Sequence, residues 1–273
     1  MSKTVCAAVQ MASSPNVSAN LIEAGRLIEK AAAQGASLVV LPENFALMGK
    51  AETDKLELAE AEGSGPIQEF LARTAERHKL WLVGGTMPIR ASKGKVHASS
   101  LVFNDRGEQV GRYDKIHLFD VNVPGTEEQY RESHTIEPGE QVLVLDTPFG
   151  RLGVAVCYDL RFPELFRQML DMRMDIFAVP SAFTAQTGAA HWEILVRARA
   201  VENLCYAIAS DQGGFHVNGR ETYGHSMIVD PWGKVMASLP SGSGIVSAEI
   251  DLERLEKVRV AFPALEHRRM HCR

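Results

Sequence analysis

Cys157 ends the apolar run Leu152-Gly153-Val154-Ala155-Val156 and stands a few residues ahead of a helix that opens near Pro163. The positive end of a helix, with a cation nearby, favours thiolate and makes a sulfur nucleophilic, so the chemistry on offer is attack by sulfur. A lone cysteine after an apolar strand is also a common packed core thiol. Glu43 likewise follows an apolar run, Leu38-Val39-Val40-Leu41-Pro42, where an unpaired carboxylate is costly unless it has a partner or a task. Lys115, in Tyr113-Asp114-Lys115-Ile116-His117, reads alone as a solvated strand end. Each has a structural explanation singly; the three together are harder to explain that way.

Other chemistries find little support. The histidines show neither H-E-x-x-H nor H-x-E with a following P-C-x-x-C, which disfavours a zinc hydrolase or deaminase. No G-x-S-x-G, G-x-G-x-x-G or P-loop pattern occurs, so serine-hydrolase, dinucleotide and NTP readings fall away. His117 and His225 are tempting bases, but a histidine after a strand is usually a hydrogen-bonded structural residue. A papain-like reading would need a Cys–His pair.

The elements that must position these groups follow from periodicity. Strands are expected over residues 5–11, 38–41, 80–87, 96–103, 109–113, 142–145, 152–156, 176–179, 206–209, 227–229, 235–237 and 245–250. Asn20 is expected to cap a first helix that Gly35 ends, Pro66 to start a second reaching His78, and further helices to run over 163–171 and 189–203. Residues 115–141 lack periodicity and read as a long functional loop. Helices recurring among strands indicate a layered α/β fold.

The chain has 273 residues, 45% hydrophobic and 23% charged, enough to bury a core without metals or disulfides, and one domain over 1–273 is expected. A net charge of −5 and the lack of a Lys/Arg stripe argue against nucleic acid as a partner; His267-Arg268-Arg269 reads as a solvated or interface-facing tail. No apolar run is long enough to span a bilayer, so no membrane partner is expected. Cys6, Cys157, Cys205 and Cys272 form no C-x-x-C pair and the N-terminus lacks signal-peptide grammar, which together suggest a reducing, cytoplasmic location.

Three ordered segments, Leu41-Pro42-Glu43, Asp114-Lys115-Ile116-His117-Leu118 and Gly153-Val154-Ala155-Val156-Cys157-Tyr158-Asp159-Leu160-Arg161-Phe162-Pro163-Glu164, resemble the three signatures of the nitrilase (carbon–nitrogen hydrolase) superfamily. The resemblance covers nearly the whole chain. It implies an α-β-β-α sandwich, usually a homodimer, and a small-molecule amide as substrate with no cofactor and no metal. It also implies roles: Cys157 as nucleophile, Glu43 as general base, and Lys115 with the Tyr158 backbone N–H over the oxyanion. Glu132, in Tyr130-Arg131-Glu132-Ser133, matches the additional active-site glutamate of that family. An intact Glu43, Lys115, Glu132 and Cys157 set argues against a non-enzymatic scaffold.

Flanking segments such as Pro180-Ser181-Ala182-Phe183-Thr184 and Tyr223-Gly224-His225-Ser226-Met227 resemble the deaminated-glutathione amidase branch and its neighbour, the ω-amidase branch. A keto-acid substrate would need a cation and hydroxyl donors near the thiol. Arg161 is the candidate clamp, with pairing to Glu164 as its alternative. Phe183 and Thr187, expected on the loop after the next strand, would shape and hydrogen-bond that end, with packing or capping as their alternative. Trp192 is expected in the core or an interface rather than in the pocket.

Overall fold

The computed structural model describes residues 3–125 and 127–270. The first strand is β1 (Thr4–Gln10), buried from Cys6 onward. α1 (Val17–Ala33), β2 (Ala36–Val40), the short α2 (Asp54–Glu57) and α3 (Pro66–His78) follow. β3 (Trp81–Val83), β4 (Met87–Arg90), β5 (Val96–Phe103) and β6 (Gln109–Asp114) complete the first half. A small hairpin of β7 (Asp120–Asn122) and β8 (Gln129–Arg131) leads into β9 (Leu143–Thr147), β10 (Gly150–Val154), α4 (Pro163–Asp171) and β11 (Ile176–Ser181). The rest is α5 (Ala185–Asn203), β12 (Tyr206–Asp211), the hairpin of β13 (Gly213–Phe215) and β14 (Glu221–Tyr223), β15 (Ser226–Val229), β16 (Val235–Leu239), β17 (Gly244–Ile250) and α6 (Leu252–Ala261).

Among the described residues, one sheet runs β17-β1-β2-β3-β5-β4, with β6 also on β5, and the other runs β16-β15-β12-β11-β10-β9. At the heart of each are parallel strands, β1-β2-β3 in one and β10-β11-β12 in the other. Strand alternation sends Leu38 and Val40 toward the second sheet, where they share an apolar cluster with Leu152, Val154 and Ile208. Val39 and Leu41 point the other way, into a cluster with Leu27 and Ile28 of α1 and Leu71 of α3. Phe166 and Met169 of α4 and Trp192 and Val196 of α5 are buried with the second sheet. The layers are therefore α-β-β-α, the sandwich expected, and burial on both faces is why the parallel strands read as continuous apolar runs.

Several expectations need correction. Asn16 rather than Asn20 caps α1, its side chain accepting the Ala19 N–H at 3.0 Å. Asn20 lies inside the helix, buried, donating to the carbonyls of Ser14 and Ala46. The strand expected over 80–87 is split into β3 and β4, because Gly85 takes φ +55 where the chain turns past Pro42. The expected loop over 115–141 holds the β7–β8 hairpin and a 3-10 turn at Glu132–His134. α5 starts at Ala185, four residues before its expected start, so Thr187 is helical and not on a loop. The α6 helix and the β13–β14 hairpin were not expected. Cys272 lies outside the described residues.

Candidate active site

Glu43 stands just past the C-terminal end of β2, and its backbone is fixed from three sides. The Leu41 N–H continues the ladder to the Val83 carbonyl at 3.0 Å, and the Asn44 N–H donates to Thr86 Oγ1 at 2.8 Å. Gln212, on the far side of the sandwich, donates from Nε2 to the Glu43 carbonyl at 2.9 Å. The turn at Gly85 belongs to the same frame: a Cβ there would meet the Pro42 carbonyl oxygen at 2.2 Å, so only glycine lets β3 pass this close to the segment bearing Glu43.

Lys115 follows β6, its N–H bonded to the Ala98 carbonyl at 3.0 Å, and its residue is only 1% exposed. Its ammonium lies 2.7 Å from Glu43 Oε1 and 2.8 Å from Glu132 Oε2. Glu132 is held in turn by the Phe119 N–H at 2.8 Å. Burial would push the Lys115 pKa down, but the charges of Glu132 and Glu43 outweigh it and hold the ammonium well above its usual range. Burial likewise opposes the charged form of Glu132, yet Lys115 beside it keeps the carboxyl below its usual range. A buried lysine with two carboxylates is thus a fixed positive charge.

Cys157 begins a 3-10 turn over Cys157–Arg161 and takes φ +48, a left-handed conformation that costs a non-glycine residue about 1–2 kcal/mol. Asp159 holds this turn: its Oδ2 accepts the Val156 N–H at 2.8 Å and the Tyr113 hydroxyl at 2.7 Å, and its Oδ1 accepts the His117 N–H at 3.1 Å. Glu43, Lys115 and the Ala182 backbone are the neighbours whose charge and polarity act on the thiol. Burial, and then the Glu43 charge, push the thiol pKa well above its usual value, with Lys115 and the Ala182 N–H acting in the opposite direction. The expected thiolate-favouring setting is therefore corrected: α4 starts only after the 3-10 turn, and the sulfur rests protonated against a carboxylate that can take its proton.

Phe119, Tyr158, Arg161, Phe183 and Thr187 line the narrow cleft over Cys157, which has about 10 Å³ of free space in this closed arrangement. Arg161 lies 5.7 Å from the Tyr158 ring centre and 5.6 Å from that of Phe183, and it contacts His191 Nδ1 at 3.3 Å. Among the described residues it makes no ion pair with Glu164. The Thr187 hydroxyl meets Thr184 Oγ1 at 2.9 Å, and Thr184, not Thr187, caps α5. Trp192 is fully buried and donates to the His225 carbonyl at 2.8 Å, a core position. His117 is stacked on Phe162 and bonded to Asp159, and His225 is stacked on Tyr223, so both histidines are committed elsewhere.

The sequence reading missed Arg220 and Asp211. Arg220 donates to the Ala182 carbonyl and lies 5.0 Å from the Tyr130 ring centre, and its charge is felt by Glu43, Cys157 and Glu132. Asp211 is buried, accepts the Phe183 N–H at 2.9 Å, and is pushed well above the usual carboxyl range by burial. The Asn218-Gly219 turn signals the hairpin that carries Arg220 in its loop, so the cation was placeable on a turn but not on this site.

A family model described as carbon-nitrogen hydrolase matches residues 6–260. The chain belongs to the carbon-nitrogen hydrolase family. Like other carbon-nitrogen hydrolases it is an enzyme that cleaves amide C–N bonds. It is 44% identical over 272 residues to a deaminated glutathione amidase of Synechocystis sp. (strain PCC 6803 / GT-S), covering 98% of this chain and 99% of that one. A Homo sapiens protein of the same name is 39% identical over 268 residues, covering 96% of this chain and 81% of the other. Among solved structures, Saccharomyces cerevisiae Nit3, a member of branch 10 of the nitrilase superfamily, matches with a TM-score of 0.88 and 35% identity over 98% of this chain and 97% of that one.

Proposed function

We propose that the protein hydrolyses deaminated glutathione to 2-oxoglutarate and cysteinylglycine through a thioester on Cys157. The observation that carries this reading is the Lys115 ammonium held between Glu43 and Glu132, with Glu43 close enough to the thiol of Cys157 for its charge to act on it. The relatives that bear the name of this activity support the choice of substrate.

Glu43 takes the thiol proton as Cys157 Sγ attacks the amide carbon, so the sulfur need not be ionised beforehand. Negative charge builds on the carbonyl oxygen, where the Lys115 ammonium and the Tyr158 backbone N–H receive it. Glu132 keeps Lys115 aimed while Glu43 changes its protonation state. The C–N bond breaks, the departing nitrogen takes the proton from Glu43, and the acyl group remains on sulfur. Water, giving a proton to Glu43, then attacks the thioester; the C–S bond breaks, and the thiol is re-protonated. Arg161 would hold the keto-acid carboxylate, with Phe183 packing against the acyl chain and Thr187 offering its hydroxyl.

The test is kcat/KM for deaminated glutathione beside 2-oxoglutaramate, with mass spectrometry of Cys157 during turnover. An acyl adduct on Cys157 and a higher kcat/KM for deaminated glutathione are expected. A much higher value for the short ketoamide would make the protein an ω-amidase.

The same reading includes a cytoplasmic homodimer. The described cysteines are unpaired, which suits a reducing compartment, and Ile194 and Val201 of α5 with Trp232 and Phe262 present exposed apolar surface. Sedimentation should give twice the chain mass, and charged substitutions at Ile194 and Val201 should return it to the monomer.

A further inference from the structure

Two clefts lie on either side of the Ala182–Arg220 contact. One is the narrow cleft over the thiol; the other, about 320 Å³, opens on the Glu132 side and is lined in part by Lys50, Tyr130, Glu132, Asn218 and Arg220. Arg220 lines the second, where its guanidinium lies against the Tyr130 ring, and its Nη2 donates to the carbonyl of Ala182, a residue that lines the first. The buried Nε of Arg220 has no hydrogen-bond partner among the described residues. A buried guanidinium N–H left unmade is costly, and a planar cationic fork is the group best suited to a carboxylate.

The carboxylates that share this cleft are already engaged. Glu52 is paired with Lys55 at 2.6 Å, and Glu128 accepts the Tyr130 hydroxyl at 3.0 Å. Of the cations lining the cleft, Arg220 and Lys50, an exposed side chain on the rim, make no ion pair among the described residues and are what the cleft offers an incoming carboxylate.

We infer that the cleft beside Glu132 is a leaving-group subsite, in which Arg220 binds a carboxylate carried by the departing amine. This rests on the amidase reading above, whose departing amine is a peptide acid, and it adds the cleft and the residue that recognise that acid. The narrow cleft has no space for both halves of such a substrate, which leaves the larger cleft beside Glu132 for the amine. An enzyme that releases only ammonia needs no second cleft, whereas one of this volume falls in the ~300–1,000 Å³ range of small-ligand sites.

The test uses two acylated dipeptides with the same acyl half and the same scissile amide, one ending in a free carboxylate and one in a carboxamide. Wild type should favour the free acid in kcat/KM by on the order of 10–100-fold, mainly through KM, the worth of a hydrogen bond to a charged group. In Arg220→Met that ratio should collapse to about 1. Equal use of both peptides by wild type, or an Arg220→Met variant that slows both while keeping the ratio, overturns the subsite. Protection of Cys157 from iodoacetamide by the same two peptides reads the subsite in wild type without a variant: the free acid should protect at lower concentration, and equal protection overturns it. A protein that is protected selectively by the free acid but cleaves neither peptide keeps the subsite and loses the proposed function. One that cleaves both equally keeps the function and loses the subsite.

Discussion

Asp159 accepts the Tyr113 hydroxyl at 2.7 Å, and this one bond ties the strand that ends immediately before Lys115 to the turn that carries Cys157. Tyr113 belongs to one sheet and Asp159 to the turn that follows a strand of the other, so the bond helps set the distance between ammonium and sulfur across the sandwich. Tyr113→Phe removes it and leaves the fully buried Asp159 with one donor fewer. The variant should lose about 1–3 kcal/mol in urea unfolding, together with a fall in kcat. Unchanged kcat with lowered stability would mean that the bond holds the fold but not the site.

Cys157 pairs chemistry with backbone strain. Cys157→Ala should abolish turnover without unfolding the protein. Cys157→Gly, which accepts φ +48 freely, should be more stable than Cys157→Ala by about 1 kcal/mol in a denaturant titration. Equal stabilities would show that the left-handed turn is unstrained.

Lys115→Met leaves the Glu43 and Glu132 carboxylates facing each other in the interior. Breaking a buried pair this way costs about 3–5 kcal/mol. Activity should vanish. Adding Glu132→Gln to Lys115→Met should recover part of the stability and none of the activity, as read by thermal unfolding and a ketoamide assay.

Alkaline pH should destabilise the protein through its buried thiols. Burial raises the pKa of Cys6 and Cys157, and that of Cys205 to about 12. Below the unfolded cysteine value of ~8.5 both states are protonated and nothing is lost; above it the unfolded state releases protons that the folded state still holds. Stability then falls by ~1.4 kcal/mol per pH unit for each such thiol, and for Cys205 the fall continues to its folded pKa of about 12. Lys115, also raised, adds to the decline above ~10.4. Cys205→Ala should make the slope between pH 9 and 10 shallower by ~1.4 kcal/mol per unit, measured by urea unfolding at each pH.

Gly85→Ala tests the frame around Glu43. The added methyl would strike the Pro42 carbonyl in a backbone conformation that alanine resists, so both stability and kcat should drop. Gly94, also at positive φ but with open space around it, is the control: Gly94→Ala should carry a backbone cost alone and leave kcat as it was.

Much of the molecule was legible in order of residues. The helix over Pro66–His78, the strand over Val96–Phe103 and the helix over Pro163–Asp171 fall where the pattern put them, because proline at a first turn and strict apolar periods are local signals. Asn20 misled because an asparagine one helical turn past the true cap looks like a cap until its burial against Ser14 and Ala46 is known. The 115–141 segment hid its hairpin because three-residue strands such as Asp120–Asn122 are too short to show a period.

By itself the sequence determined which residues could do the chemistry and that they would lie at the ends of buried strands, since strand ends and residue types are local properties. Only the tertiary structure decided what those residues feel. Lys115 meets Glu43 across 72 positions of chain, and Gln212 steadies Glu43 across 169. Burial keeps the Cys157 thiol protonated where a strand-then-helix pattern had suggested thiolate, and Arg220 reaches the site from a hairpin. Charge and desolvation act through space, and a linear pattern carries no distances.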